Sequence, residues 1–134
     1  MYAEYSGHWR SALTDPSAPA DSVKFAKIAE KTPHVVFTRG DFKPDWQNTR
    51  VAHDPAKEIA RLKAEDGKDM VAWGGATFAS ELVNLGLVDE YRIALNPTAI
   101  GRGKSMFDKV KKQNKLKLID TRPLPSGLVI LRYK

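Results

Sequence analysis

The chain has 134 residues, no cysteine and a formal net charge of +6 at pH 7. This length predicts one domain with its own hydrophobic core, and the lack of cysteine excludes disulfides, thiolate metal sites and cysteine nucleophiles. The sequence shows no basic segment followed by an apolar core and no apolar run of membrane-spanning length, so we expect a soluble cytoplasmic protein with no membrane partner.

The first third of the chain predicts two helices and a strand. Residues 2–13 have helical spacing and carry Tyr5 and Trp9 on one stripe. Aromatic stripes usually pack against a core, although a position near a substrate would give the same spacing. A second helix is expected at 21–29, and the β-branched and aromatic run His34–Thr38 predicts a strand.

The next segment predicts a short strand and a helix. Residues Thr49–Ala52 form the strand pattern, and Asp54 followed by Pro55 marks a helix start. Aspartate is a favoured N-cap residue, and proline is well tolerated at the first helical position. This helix is expected to run to about Glu65.

The most informative stretch is Asp69–Gly103, which reads DMVAWGGATFASELVNLGLVDEYRIALNPTAIGRG. Its first part, Met70–Trp73, is nearly all apolar and predicts a strand buried on both faces. Helical spacing follows over Ala76–Leu85, and Gly86 stands where a left-handed helix stop is favoured. A second strand is predicted at Tyr91–Leu95, so the stretch predicts a βαβ unit.

Two glycines, Gly74 and Gly75, separate the predicted strand from the helix. Without Cβ atoms they would let a ligand approach the backbone. The first-turn amides of the helix (Ala76, Thr77 and Phe78) have no acceptors within the helix, and together with the helix dipole they suit a phosphate or pyrophosphate. A tight strand-to-helix turn would need the same glycines, and the local pattern does not decide between these interpretations.

The C-terminal third predicts a basic loop and a hairpin. Gly101–Gly103 either reaches over a ligand or is a flexible connection. Strands at Leu116–Ile119 and Leu128–Tyr133 predict an antiparallel hairpin at the sheet edge. Between these features, one acidic residue, Asp108, is accompanied by seven basic ones: Arg102, Lys104, Lys109, Lys111, Lys112, Lys115 and Lys117.

This basic run carries the whole net charge of the chain. It could attract phosphates or nucleic acid. Because only Phe107 interrupts it as an aromatic residue, a base-stacking platform is poorly supported, and we expect a solvated loop that does not bind nucleic acid. The three histidines (His8, His34 and His53) are scattered and lack metal-ligand spacing, so no metal site is predicted.

The pattern strand–GGATF–helix followed by GLVDEYRIALNPTAIGRG resembles the dihydrofolate reductase-like superfamily. It is most similar to the branch that includes the C-terminal reductase domain of bifunctional riboflavin-biosynthesis deaminase/reductases, and the resemblance extends along nearly the whole chain. It implies a single α/β domain over residues 1–134. The implied fold is a three-layer α/β/α arrangement, in which a mixed, mostly parallel sheet ends in an antiparallel hairpin.

The resemblance also implies a function. Members use NADPH to reduce heterocyclic, pyrimidine- or pterin-like small molecules, as 5-amino-6-(5-phosphoribosylamino)uracil reductase does in riboflavin biosynthesis. Thr38 and Arg39 would contact the 2′-phosphate and adenine, because a guanidinium is a rigid fork for phosphate oxygens. The pyrophosphate would be held by Gly74, Gly75, Ala76, Thr77 and Phe78. The resemblance assigns no catalytic residue here.

The beginning of the chain departs from the family pattern. Members usually start with a buried strand and a second strand that ends in a Gly-Arg-x-Thr turn, and Tyr2 aligns just inside the helix that follows. The missing strands would leave unpaired sheet edges. We therefore expect a homodimer, and the alternative function is a truncated, non-catalytic family member that acts as an oligomeric or partner-binding domain.

Overall fold

The computed structural model describes residues 2–134. It divides into two compact units, an N-terminal unit ending at Asp66 and a C-terminal unit comprising Gly67–Lys134, and each is described by itself. The described residues form four α-helices and five β-strands. None of these helices combines the length and the apolar character needed to cross a bilayer.

The N-terminal unit contains three helices and a two-stranded sheet. Its elements in chain order are α1 (Tyr2–Thr14), α2 (Ala20–Lys31), β1 (His34–Phe37), β2 (Thr49–Ala52) and α3 (Pro55–Lys63). The two strands are parallel, and the register places Phe37 opposite Ala52. The predicted cap of α3 is confirmed, since the Asp54 carboxylate accepts a hydrogen bond from the Lys57 N–H at 3.1 Å.

Aromatic side chains form the core of the N-terminal unit. Trp46 is only 7% exposed, and its ring lies 5.9 Å from that of Tyr5 in an edge-to-face arrangement. The Tyr5 ring also contacts His34 and Trp9, at 5.8 and 6.3 Å. These contacts favour the packing interpretation of the aromatic stripe on α1, because edge-to-face pairs at these separations stabilise cores.

The C-terminal unit contains one helix and a three-stranded antiparallel sheet. Its elements are α4 (Ala76–Asn84), β3 (Tyr91–Leu95), β4 (Leu118–Pro123) and β5 (Val129–Tyr133). The strand order is β3-β5-β4, so the predicted antiparallel hairpin is confirmed, with β4 at the edge and β5 in the centre. Its first strand spans Leu118–Pro123 and not the predicted Leu116–Ile119. Gly127 takes a positive φ of 84° in its turn and donates its N–H to the Leu124 carbonyl at 2.9 Å.

The strand predicted at Met70–Trp73 is wrong. This segment has no helix or strand geometry, and Met70, Val71 and Trp73 are 49%, 68% and 64% exposed. An apolar strand is buried on both faces only where strands pair with it and helices cover it, and no described strand pairs with this segment. Residues 2–134 therefore contain no βαβ unit, and in place of the predicted mixed, mostly parallel sheet they form one small parallel and one small antiparallel sheet.

The end of α4 follows the sequence prediction. Gly86 has a φ of 65°, and its N–H donates to the Val83 carbonyl at 3.1 Å. The Leu87 N–H donates to the Leu82 carbonyl at 3.0 Å, which completes a Schellman motif. Within the predicted helical span Ala76–Leu85, Leu82 is buried at 4% exposure, whereas Leu85 is 46% exposed.

Candidate functional site

The first candidate group lies where β1 ends in the N-terminal unit. Thr38 follows Phe37 directly, and its N–H still donates to the Ala52 carbonyl at 3.2 Å. The Thr38 hydroxyl accepts the Gly40 N–H at 3.3 Å. Arg39 is exposed, and within the described part of the chain it forms no ion pair or hydrogen bond. Its guanidinium is therefore available to a phosphate.

An open cavity of about 440 Å³ lies at the same end of the two strands. It is lined by Asp41, Phe42, Lys43, Val51 and His53. Val51 belongs to β2 and His53 follows that strand, so the cavity stands at the carboxyl ends of parallel strands. Ligands of open α/β sheets bind at this end. Its size falls within the usual range for small-molecule sites, roughly 300–1,000 Å³.

A hydrogen bond from the His53 side chain connects the ends of β1 and β2. Its Nδ1 lies 2.7 Å from the Thr38 carbonyl oxygen. Because a carbonyl can only accept, Nδ1 carries the hydrogen, and Nε2 is left as the second polar atom of the ring. Lys43 lines the same cavity and brings a second cation to this end of the sheet.

Sequence reasoning missed Lys43, His53 and Phe42. The available signal was that Thr38 is the last residue of one predicted strand and His53 the first residue after another. Only the parallel register of β1 and β2, with Phe37 opposite Ala52, brings these two positions together. A single sequence does not state which strands pair.

The second candidate group lies at the start of α4 in the C-terminal unit. Gly75 is the N-cap residue, with an extended backbone and no side-chain cap hydrogen bond. Ala76 and Thr77 belong to the first turn, whose N–H groups have no acceptors within the helix. The positive end of the helix dipole is thus uncapped by a side chain, which suits an anion.

Gly74 has a packing explanation of its own. A Cβ atom at this position would lie 2.6 Å from Cδ1 and 3.2 Å from Cβ of Phe78. Contacts this short do not occur without displacing the ring, so the Phe78 side chain requires glycine here. This packing accounts for Gly74 by itself, and its assignment to a pyrophosphate site stays a prediction.

The other histidines have local packing partners. The His8 ring lies 4.6 Å from Trp9, and His34 lies 5.0 Å from Trp46. Burial lowers the pKa of His34. Among residues 2–134, no three histidine, aspartate or glutamate side chains are grouped as a metal site.

Comparison with known proteins identifies the family. The family model described as the RibD C-terminal domain matches residues 13–130. The chain belongs to the RibD C-terminal domain family. This assignment, within the dihydrofolate reductase-like superfamily, confirms the resemblance found in the sequence motifs.

Two curated relatives from Bacillus subtilis (strain 168) are similar to the chain. "Uncharacterized protein YyaP" is 32% identical over 125 residues, which is 93% of this chain and 66% of YyaP. "Uncharacterized protein YwjB" is 28% identical over 93 residues, which is 69% of this chain and 53% of YwjB. The chain therefore spans between about half and two thirds of these relatives' lengths.

The RibD C-terminal match contains both candidate groups. Thr38 and Arg39 lie within it, as do Gly74–Phe78 and the cavity residues Lys43 and His53. The family supports a reductase-like domain that resembles the one in riboflavin biosynthesis, and members of the family generally bind NADPH. The cofactor and substrate of this chain are matters for proposal.

Proposed function

We propose that this chain is an NADPH-dependent reductase that transfers hydride to a heterocyclic small molecule of the pyrimidine or pterin kind. The observation that carries the proposal is Arg39, an exposed guanidinium without a described protein partner at the carboxyl end of β1. It stands in a RibD C-terminal domain, a family whose members generally bind NADPH.

The family resemblance assigns two groups of residues to the cofactor, and each group is described within its own unit. In the N-terminal unit, Thr38 and Arg39 would bind the 2′-phosphate, with Lys43 as a further cation and the His53 ring in the lining of the same cavity. Phe42 lines the cavity and is 37% exposed, and we infer that its ring would stack on the adenine. In the C-terminal unit, the pyrophosphate would be bound by Gly74, Gly75, Ala76, Thr77 and Phe78. NADPH supplies the hydride, and the chain supplies binding and orientation.

Isothermal titration of NADPH and NADH into the wild-type chain and Arg39→Ala tests the proposal. Only NADPH carries the 2′-phosphate, so loss of a charge-assisted hydrogen bond should weaken NADPH by about tenfold or more and leave NADH nearly unchanged. Lys24→Ala, an exposed lysine on α2, is the matched control. An equal loss for both cofactors would contradict the assignment of Arg39.

A second candidate function is self-association or partner binding without catalysis. The exposed apolar side chains of Met70, Val71 and Trp73 favour it, because contiguous exposed apolar surface marks interaction sites. We expect a homodimer in sedimentation velocity, weakened by Val71→Lys. Ile28→Lys in the N-terminal unit is the control, since Ile28 is 55% exposed and isolated from this segment in sequence. A strict monomer at every concentration would exclude this candidate.

The proposal includes the single three-layer α/β/α domain that the family resemblance implies. A crystal structure of the chain grown with NADPH would test the arrangement and the two groups of cofactor contacts together.

A further inference from the structure

A second cavity lies at the other end of α4 from Gly75, in the C-terminal unit. Its volume is about 370 Å³. The floor is apolar and aromatic, and the polar run 111–114 forms the rim. The floor residues are Val83, Tyr91, Phe107, Val110 and Leu116. This cavity shares no residue with the proposed cofactor groups.

The wall of this cavity is fixed to α4 by polar side chains. The Ser80 hydroxyl, on a residue that is 1% exposed, donates to the Met106 carbonyl at 2.9 Å. The Asn84 amide donates to the Lys109 carbonyl at 2.9 Å and accepts the Lys111 N–H at 2.8 Å. Three hydrogen bonds thus hold the loop backbone to one helix, so the wall is a built feature.

The floor is apolar surface left open within that fixed wall. Phe107 is 37% exposed and Leu116 is 36% exposed, whereas Val83, in the same lining, is 8% exposed. The rings of Tyr91 and Phe107 lie 6.3 Å apart at 58°. Burial raises the pKa of Tyr91, as expected for a phenol in a partly desolvated place. An apolar ligand body would gain by covering these side chains.

The rim is cationic, and no carboxylate forms an ion pair with its described lysines. Lys111 and Lys112 line it, and Lys109 and Lys115 stand beside it in the chain. Within the part of the chain that the structure describes, none of these four lysines forms an ion pair. They are not needed to cap α4, because the Schellman bonds from Gly86 and Leu87 already satisfy its last carbonyls.

We propose that this cavity binds a small aromatic phosphate, with the ring on the Tyr91–Phe107 floor and the phosphate on Lys111 and Lys112. The volume is at the small end of the usual range, roughly 300–1,000 Å³, so it suits a single ring system rather than a dinucleotide. One aromatic pair is too short a platform for a nucleic-acid strand, which needs successive stacking residues.

Fluorescence titration with naphthyl phosphate tests the proposal, with naphthol and inorganic phosphate as partial ligands. Naphthyl phosphate should bind more tightly than either. The double variant Lys111→Ala/Lys112→Ala should weaken it by about five- to tenfold, as loss of two exposed charge contacts implies. Lys24→Ala/Lys27→Ala, two exposed lysines on α2, should leave the affinity unchanged.

Amide chemical-shift mapping supplies a second readout that does not depend on the variants. Shifts should concentrate at Val83, Tyr91, Phe107 and Leu116, and saturating NADPH should not displace the probe. Several results would overturn the proposal: equal affinity in the lysine variant, shifts centred on Val71 instead, or displacement by NADPH. Tighter, salt-dependent binding of a mixed oligonucleotide would also overturn it in favour of a nucleic-acid site.

Discussion

The two units are nearly equal in length but differ in how much of their apolar surface is buried and in their net charge. The N-terminal unit buries Trp46 among aromatic neighbours, and its basic and acidic residues balance at ten each. The C-terminal unit has twelve basic and six acidic residues, so it holds the whole net charge of +6. Of the thirteen exposed large apolar side chains among the described residues, eleven belong to it.

The N-terminal unit thus leaves few of its large apolar side chains exposed, whereas the C-terminal unit exposes many of them together with its lysines. The N-terminal unit has an aromatic core, and Arg39, a cation without a described ion pair, follows the end of β1. The C-terminal unit exposes apolar side chains and lysines, and such surfaces commonly bind ligands or partner chains. The comparison predicts that equivalent substitutions will have unequal effects in the two units.

The largest expected effect comes from removing a tryptophan in each unit. Trp46→Ala should lower the free energy of unfolding by about 3–5 kcal/mol, because the change leaves a cavity in the aromatic core. Trp73→Ala should change it by less than about 0.5 kcal/mol, since Trp73 is 64% exposed. Urea denaturation followed by circular dichroism measures both. A large loss for Trp73→Ala would show that its side chain is buried in solution.

A smaller and opposite pair of effects is expected at two glycines. Gly86→Ala should destabilise the C-terminal unit by about 1–2 kcal/mol, because φ at Gly86 is 65° and a Cβ is disfavoured there. Gly7 lies inside α1, and an added Cβ would meet nothing within 4 Å. Gly7→Ala should therefore stabilise the N-terminal unit by about 0.5–1 kcal/mol. The same denaturation assay checks the signs, and a stabilised Gly86→Ala would exclude the Schellman ending of α4.

The smallest effect is expected at a carboxylate placed between two arginines in each unit. Hydrogen bonds from Arg50 and Arg61 lower the pKa of Glu58 from 4.5 to about 2. Those from Arg132 and Arg92 lower the pKa of Glu90 to about 2. The Glu90 carboxylate accepts from Arg132 at 2.8 and 3.0 Å.

Because the folded pKa is depressed, each carboxylate stabilises the fold above about pH 4.5, and this contribution disappears as the pH falls towards about 2. Urea midpoints of the wild type, Glu58→Gln and Glu90→Gln should therefore differ at pH 7 and converge in acid. If the urea midpoints of both variants converge with the wild type over the same pH range, the two ion pairs behave alike, and the units differ in packing and not in these ion pairs. Midpoint differences that stay constant with pH would contradict the ion pairs.

Local elements were predictable wherever a short-range rule applies. Thr49–Ala52 and Tyr91–Leu95 have the predicted bounds, and the Asp54-Pro55 start of α3 and the Gly86 end of α4 follow from capping chemistry. The strand predicted at Met70–Trp73 failed because an apolar run becomes a buried strand only through pairing with other strands. Pairing is a non-local property, and no described strand supplies it.

The candidate site was predictable only in part. Thr38 and Arg39, as well as Gly74–Phe78, came from motifs whose residues are neighbours in the chain, and their role in cofactor binding stays a prediction. The sequence did not predict the cavity residues Lys43 and His53, because their proximity to the end of β1 depends on the parallel register with β2.

The sequence by itself determined the family, the start of α3, the end of α4, the hairpin and the position of the charge, since each depends on neighbouring residues or on composition. The tertiary structure alone decided which apolar residues are covered, that Gly74 is required by the Phe78 ring, and that Asn84 and Ser80 fix a lysine-rimmed cavity. Those features depend on distances between residues far apart in the chain, and no local pattern encodes them.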